Sequence, residues 1–198
     1  MNNKLQKAEQ EREEGKELSD AQMEKIMDLY INSIEIPEIK NESLVLLCPV
    51  GLVGAGKTTI ITPICRKLNL VRISTDEIRK ILQERGFNFV RTIELALKII
   101  DHFLEKGKSV CIDADCISPR AQNYVKKTQR EYNTLPVWIH INPPEEFIIN
   151  KLRNYDHDWL FRDADHAISE YQRRKPLHEE HLQDIKFYFE FDSSKSNL

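Results

Sequence analysis

The chain has 198 residues, 40% of them hydrophobic and 31% charged, which suffices for one globular domain with an extra element and excludes two full domains or a repeat array. Of its net charge of −3, the first 40 residues carry 6 Lys/Arg against 10 Asp/Glu, while the remaining 158 carry 23 against 22. That balance argues against a broad grip on a long nucleic acid but leaves room for a local basic pocket. No run of about 18 apolar residues occurs and the N-terminus lacks an apolar leader, so no membrane partner and a cytoplasmic location are expected.

Residues 1–18 are polar and aperiodic and read as a frayed lead-in. From Ser19, which has capping-box spacing with Gln22, Met23, Ile26, Met27, Tyr30 and Ile34 recur at helical intervals until Pro37. This amphipathic helix is expected to pack on its own domain or, as a second possibility, to engage a protein partner. Leu44–Val50 is an apolar run of buried-strand type. Helix is then predicted over Thr58–Leu68, strand over Leu70–Ser74, helix from Thr75 to Gly86, and helix over Arg91–Lys106, closed by Gly107. Ser109–Ile112 is a third strand ending in Asp113, followed by a helix from near Pro119. A fourth strand, Pro136–Ile141, leads through Pro143 and Pro144 into a helix ending near Leu152. Residues 153–175 read as two helical pieces, Ile185–Phe191 as a last strand, and 192–198 as a polar tail. Alternating strands and helices predict an α/β fold with a parallel sheet and helices on both faces.

Three of the six glycines fall within six residues. Gly51, Leu52, Val53, Gly54, Ala55, Gly56, Lys57 and Thr58 fit G-x-x-x-x-G-K-[ST], between a predicted strand and a predicted helix. In such a loop backbone N–H groups surround phosphate oxygens and the helix N-terminus adds its positive dipole end. Lys57 supplies a point charge and Thr58 a hydroxyl for Mg2+, and Thr59 completes the nucleotide-binding set. The expected ligand is a nucleoside triphosphate, ATP, with Mg2+.

The remaining motifs narrow the class. Asn150-Lys151 continues as Leu152-Arg153, so no N-K-x-D base-reading motif of a GTPase is present, and no glycine follows Gly107 to supply an ABC-type signature. Asp76, at the end of the second strand, is placed to accept a proton from an attacking hydroxyl, although Ser74 and Glu77 also have capping-box spacing and Asp76 would then serve only the helix dipole. Asp113 ends its strand as a Walker B acid does and is the expected Mg2+ ligand, with Asp115 a weaker one; Arg120 is a candidate acceptor or phosphate contact.

The segments VGLVGAGKTT, ISTDEIRK and SVCIDADCISPRAQN together resemble the small P-loop kinases related to the polynucleotide 5′-hydroxyl kinases and, more distantly, the zeta-type toxin kinases. The resemblance spans residues 44–192. It implies a three-layer P-loop NTPase fold with five parallel strands, Asp76 as base, Asp113 as the strand-end acid, and an arginine-bearing lid. The chain departs from the family in the lid, where Pro144 is followed by Lys151 and Arg153, then Arg162, Arg173 and Arg174. Arg153 and Arg162 are taken as the candidate catalytic cations.

The reading is therefore an N-terminal extension over 1–43 with a helix near 20–35, a P-loop kinase domain over 44–192 and a flexible tail over 193–198. Its activity would be transfer of the γ-phosphate of ATP to a hydroxyl of a small molecule or nucleic-acid 5′ end. The alternative is a non-catalytic nucleotide-binding regulatory module. His178 and His181 are expected on an exposed helix, Trp159 in the lid, Trp138 and His140 in ordinary sheet packing, and Cys48, Cys65, Cys111 and Cys116 as buried reduced thiols.

Overall fold

Strand β1, Val45–Val50, is buried at all but its first residue, because its side chains feed two cores at once. Leu46, Cys48 and Val50 face one hydrophobic cluster and Leu47 the other. In the computed structural model, which describes residues 15–155 and 161–195, β1 lies at the centre of a five-stranded sheet in the order β2-β3-β1-β4-β5. The other strands are β2 (Val71–Ser74), β3 (Val110–Asp113), β4 (Leu135–Ile141) and β5 (Phe189–Phe191). All four pairings are parallel, with Leu46 beside Val110 and Pro136, Ser74 beside Asp113, and Ile141 beside Phe191.

Among the described residues seven helices connect and flank the strands: α1 (Asp20–Ser33), α2 (Lys57–Leu68), α3 (Thr75–Glu84), α4 (Thr92–Glu105), α5 (Pro119–Tyr132), α6 (Glu145–Arg153) and α7 (Ala164–Leu182). Apolar residues of α1, α3, α4 and α5 build the first cluster, and those of α2, α6 and the first half of α7 the second. The result is the three-layer α/β fold of P-loop NTPases. Helix α1 begins as its capping box predicts, with Ser19 N–H donating to Gln22 Oε1 at 3.0 Å, and ends at Ser33 rather than at Pro37. Its apolar face is covered by its own chain: Met23 and Tyr30 are fully buried against α3 and α4. Burial of this kind contributes about 1.5–3 kcal/mol for each large side chain.

Two expected elements differ. The segment after Phe161 is one helix, not pieces ending at Lys175, and it runs through Pro176 to Leu182. Beyond the proline His178 is buried and Leu182 packs, partly buried, against the first cluster, contacts that work against the roughly 3 kcal/mol that an interior proline costs. The last strand is only Phe189–Phe191, since Ile185 and Phe187 are used as core side chains before pairing begins. A short 3₁₀ turn follows, Ser193–Lys195. The four cysteines are buried and unpaired. No helix among the described residues is long and apolar enough to cross a membrane.

Candidate functional site

The parallel sheet brings the ends of β1, β2 and β3 to one edge, and the residues singled out by sequence stand there. Gly51 follows β1 directly. A Cβ on Gly51 would lie 2.6 Å from the carbonyl oxygen of Ile141 at the end of β4, so only glycine lets the loop leave the sheet here. Gly54 has φ +81°, a left-handed conformation that side-chain-bearing residues rarely adopt, and a Cβ there would press on Leu152 and Ile148 of α6 at 3.0–3.1 Å. The loop opens into α2 at Lys57, which places the free N–H groups of the first turn at its mouth.

Lys57 Nζ donates to the carbonyls of Gly51 and Leu52 at 2.5 and 3.0 Å, curling across the loop that it would share with a phosphate. Thr58 Oγ1 donates to Asp113, 3.1 Å from Oδ2. Thr59 is exposed on the same turn. Asp113 is buried, and burial pushes its carboxyl above the usual range despite the opposing effects of Arg72, Thr58 and Lys57. Thr58 Oγ1 and the Asp113 carboxylate, which Arg72 also pairs, are oxygens of the kind that a hard cation such as Mg2+ takes as ligands.

Asp76 lies in the first turn of α3, two residues beyond the Ser74 that pairs with Asp113. Ser74 caps this helix, its Oγ accepting from Glu77 N–H at 3.3 Å. The Glu77 side chain does not close a capping box; it pairs with Arg72, whose other guanidinium nitrogen holds Asp113. The Asp76 carboxylate is nearly half exposed and is met by Arg79 Nη1 at 2.6 Å. The structure gathers Gly51–Thr59, Asp76 and Asp113 on one edge.

The phosphate loop, following the central strand and answered by an acid at the end of its neighbour, decides the family. A model of the AAA domain, AAA_33, matches residues 44–190. The chain belongs to this AAA domain family. No curated protein matches the sequence significantly. Among solved structures, one from the PezAT chromosomal toxin–antitoxin system of Streptococcus pneumoniae is similar at 17% identity with a TM-score of 0.59, covering 90% of this chain and 79% of its own. A candidate kinase from Chloroflexus aurantiacus J-10-fl is similar at 14% identity and TM-score 0.55, covering 67% and 80%. At these identities the likeness establishes the fold.

Around the AAA-domain loop the remaining cations are distributed unevenly. Lys151 Nζ lies 3.8 Å from where a Gly56 Cβ would stand, and crowding against the loop, with the charge of Lys57, pulls its ammonium below the usual lysine range. Arg153, two residues on and so on another face of α6, is exposed. Arg162 is exposed just before the α7 cap, its N–H donating to His166 Nδ1 at 3.3 Å. Arg173 and Arg174 pair with the buried carboxylate of Glu170, and Arg120 is exposed at the start of α5. Trp159, expected in the lid, lies outside the described residues.

Asp115, the weaker Mg2+ candidate, is engaged within the protein. Its Oδ1 accepts from Gly51 N–H at 3.3 Å and its Oδ2 stands 3.3 Å from His178 Nδ1. Burial pushes Asp115 up, yet His178, Lys57 and the Gly51 N–H outweigh it and hold the carboxyl below the usual range. His178 is therefore buried, not on an exposed helix face as expected, and among the described residues no cluster of His, Cys, Asp and Glu suits a metal. The signal was available: Ala167, Tyr171, His178 and Leu182 form one helical stripe. His140 stacks on Phe187 with ring centroids 4.8 Å apart. Ser193, past β5, donates its hydroxyl to the Ala55 carbonyl at 2.7 Å and so backs the loop.

Proposed function

We propose that this protein is an ATP-dependent kinase that transfers the γ-phosphoryl group to a hydroxyl of a small molecule or a nucleic-acid 5′ end. The observation that carries the reading is the shared edge: a phosphate loop after β1, a buried acid ending β3, and a half-exposed carboxylate just beyond β2, the side open to an acceptor. A nucleotide-binding module would need the first two features alone. The loop amides and Lys57 bind the phosphates and fix their orientation. Thr58 and Asp113 would hold Mg2+, which supplies charge neutralisation on the phosphate oxygens. Asp76 accepts the proton of the acceptor hydroxyl at a carboxylate oxygen as the new P–O bond forms and the bond to the ADP oxygen breaks. Lys151, Arg153 and Arg162 are the cations from which the transferred group draws further stabilisation.

The test uses labelled ATP with a panel of oligonucleotide 5′ ends, nucleosides and sugars. Lys57→Ala is expected to abolish MgATP binding. Asp76→Asn should bind MgATP normally and lose about 10²–10⁴-fold in transfer, the usual contribution of a positioned base. Full transfer by Asp76→Asn would remove Asp76 as the base, and failure of every acceptor class would favour the regulatory module.

A further inference from the structure

Among the described residues β2 is an edge strand, paired only with β3. The N–H of Val71 donates to the carbonyl of Ser109 at 2.9 Å, so the alternation of a strand turns the N–H of Ser74 away from β3, toward the side where no strand follows. It is not left unpaired. The Tyr30 hydroxyl oxygen accepts it at 2.7 Å, taking the place of a neighbouring strand's carbonyl. Tyr30 is fully buried on α1, and this helix precedes residue 44, where the family match begins.

The same N-terminal segment grips the other end of α3. Lys16 N–H donates to Gly86 O and Lys16 O accepts from Asn88 N–H, both at 3.0 Å, joining the chain to the turn after α3. Arg91, at the head of α4, donates to Leu18 O at 2.8 Å and pairs with Asp20 at 2.7 Å. Leu18, Met23 and Ile26 are buried in the core cluster to which Ile78 and Leu82 of α3 belong. Helix α3 is thus held at its start by Tyr30 and at its end by Lys16.

We infer that Tyr30 is a positioning residue for phosphoryl transfer: through Ser74 it fixes the first turn of α3, and with it the direction in which Asp76 meets the acceptor. The inference rests on Asp76 as the acceptor-side base. Of the N-terminal helix it is the Tyr30 hydroxyl that serves the site, and the acceptor side is set before substrate arrives.

The experiment compares Tyr30→Phe, which keeps the ring and removes the acceptor of Ser74 N–H, with Met23→Ala, which loosens the same helix away from Ser74. Hydrogen–deuterium exchange of the peptide 73–78 and conversion of ATP to ADP, with water taking the acceptor's place, are read in both. Tyr30→Phe is expected to speed exchange in 73–78 by about tenfold beyond any change elsewhere. Its kcat should fall about 10- to 100-fold, the cost of a misdirected group, with KM for MgATP within about twofold. Met23→Ala should raise exchange throughout the first core cluster and keep kcat at temperatures where it is folded. Unchanged exchange in 73–78 of Tyr30→Phe overturns the inference, as does an equal loss of kcat in Met23→Ala. Asp76→Asn is run alongside: if its ATP conversion is undiminished, the base assignment fails, and the exchange measurement alone still decides whether Tyr30 holds α3.

Discussion

Replacing Arg72 by methionine tests how the site tolerates its own buried charge. Arg72 is one-fifth exposed and Asp113 almost wholly buried, and the guanidinium bridges Asp113 and Glu77. Removing one partner of a buried pair ordinarily costs about 3–5 kcal/mol, because the other charge is left uncompensated. Here the Thr58 hydroxyl still donates to Asp113 and Arg72 is partly solvated, so Arg72→Met should lose about 2–4 kcal/mol at pH 8 without Mg2+. The pH dependence has a definite sign. Burial already holds Asp113 above its ordinary value of 3.8, so the folded state carries its charge less readily than the unfolded chain. Stability from this group is full when it is protonated and declines as pH rises from 3.8 through the folded value. Loss of Arg72 raises the folded value further, so the deficit relative to wild type should be large at pH 8 and shrink at pH 5. Urea unfolding of both proteins at the two pH values measures it. The double variant Arg72→Met/Asp113→Asn should recover about 1–3 kcal/mol of the single variant's loss. A deficit independent of pH, or a double variant no more stable than Arg72→Met, would refute the account.

Gly51→Ala should destabilise by about 1–3 kcal/mol in the same assay, because its Cβ meets the Ile141 carbonyl oxygen at 2.6 Å and neither backbone can yield cheaply. Ser193→Ala removes one hydroxyl donated to Ala55 O and should cost about 0.5–1.5 kcal/mol with weaker MgATP binding. Lys151→Met should have opposed effects: slightly higher stability without ligand, since Lys151 and Lys57 repel, and about tenfold lower MgATP affinity measured by titration calorimetry. For His140, burial lowers the ring below its ordinary value of 6.5, so the unfolded chain takes the proton more readily and stability falls as pH drops below 6.5. A His140→Gln variant should lose that part of the acid sensitivity, read as a flatter midpoint against pH.

The fold was legible because its signals are local. The buried strands are short, mostly apolar runs, three of the helices begin at Ser19, Ser74 and Ser118 caps, and the phosphate loop lies in one continuous stretch. Where a boundary depended on distant contacts the sequence misled. Pro176 signals a helix end, but beyond it His178 is buried and Leu182 packs, partly buried, on the first core, and those distant contacts carry the helix through. Likewise Ile185 and Phe187 look like strand residues by type, and only the position of the first core shows that they pack there before pairing with β4 begins.

The site divides along the same line. The candidates Lys57, Thr58, Asp76 and Asp113 stand out in sequence, the first two by the phosphate-loop pattern and the acids by their places at or just beyond strand ends. The groups that hold them are not, since Arg72 reaches Asp113 across 41 residues, Tyr30 reaches Ser74 across 44, and His178 reaches Asp115 across 63. Such partners carry no spacing signature; any buried hydrogen-bonding group of the right reach would serve. Their physical mark is a polar residue set into an otherwise apolar periodicity, as Arg72 is in Val71–Ser74 and Tyr30 and His178 are on the buried stripes of α1 and α7. A buried polar group is costly unless it is paired, so each such residue demands a partner even where its sequence cannot name one. In this chain the three partners found are the acid expected to hold Mg2+, the strand end that leads to the expected base, and the carboxylate that fixes the first glycine of the phosphate loop.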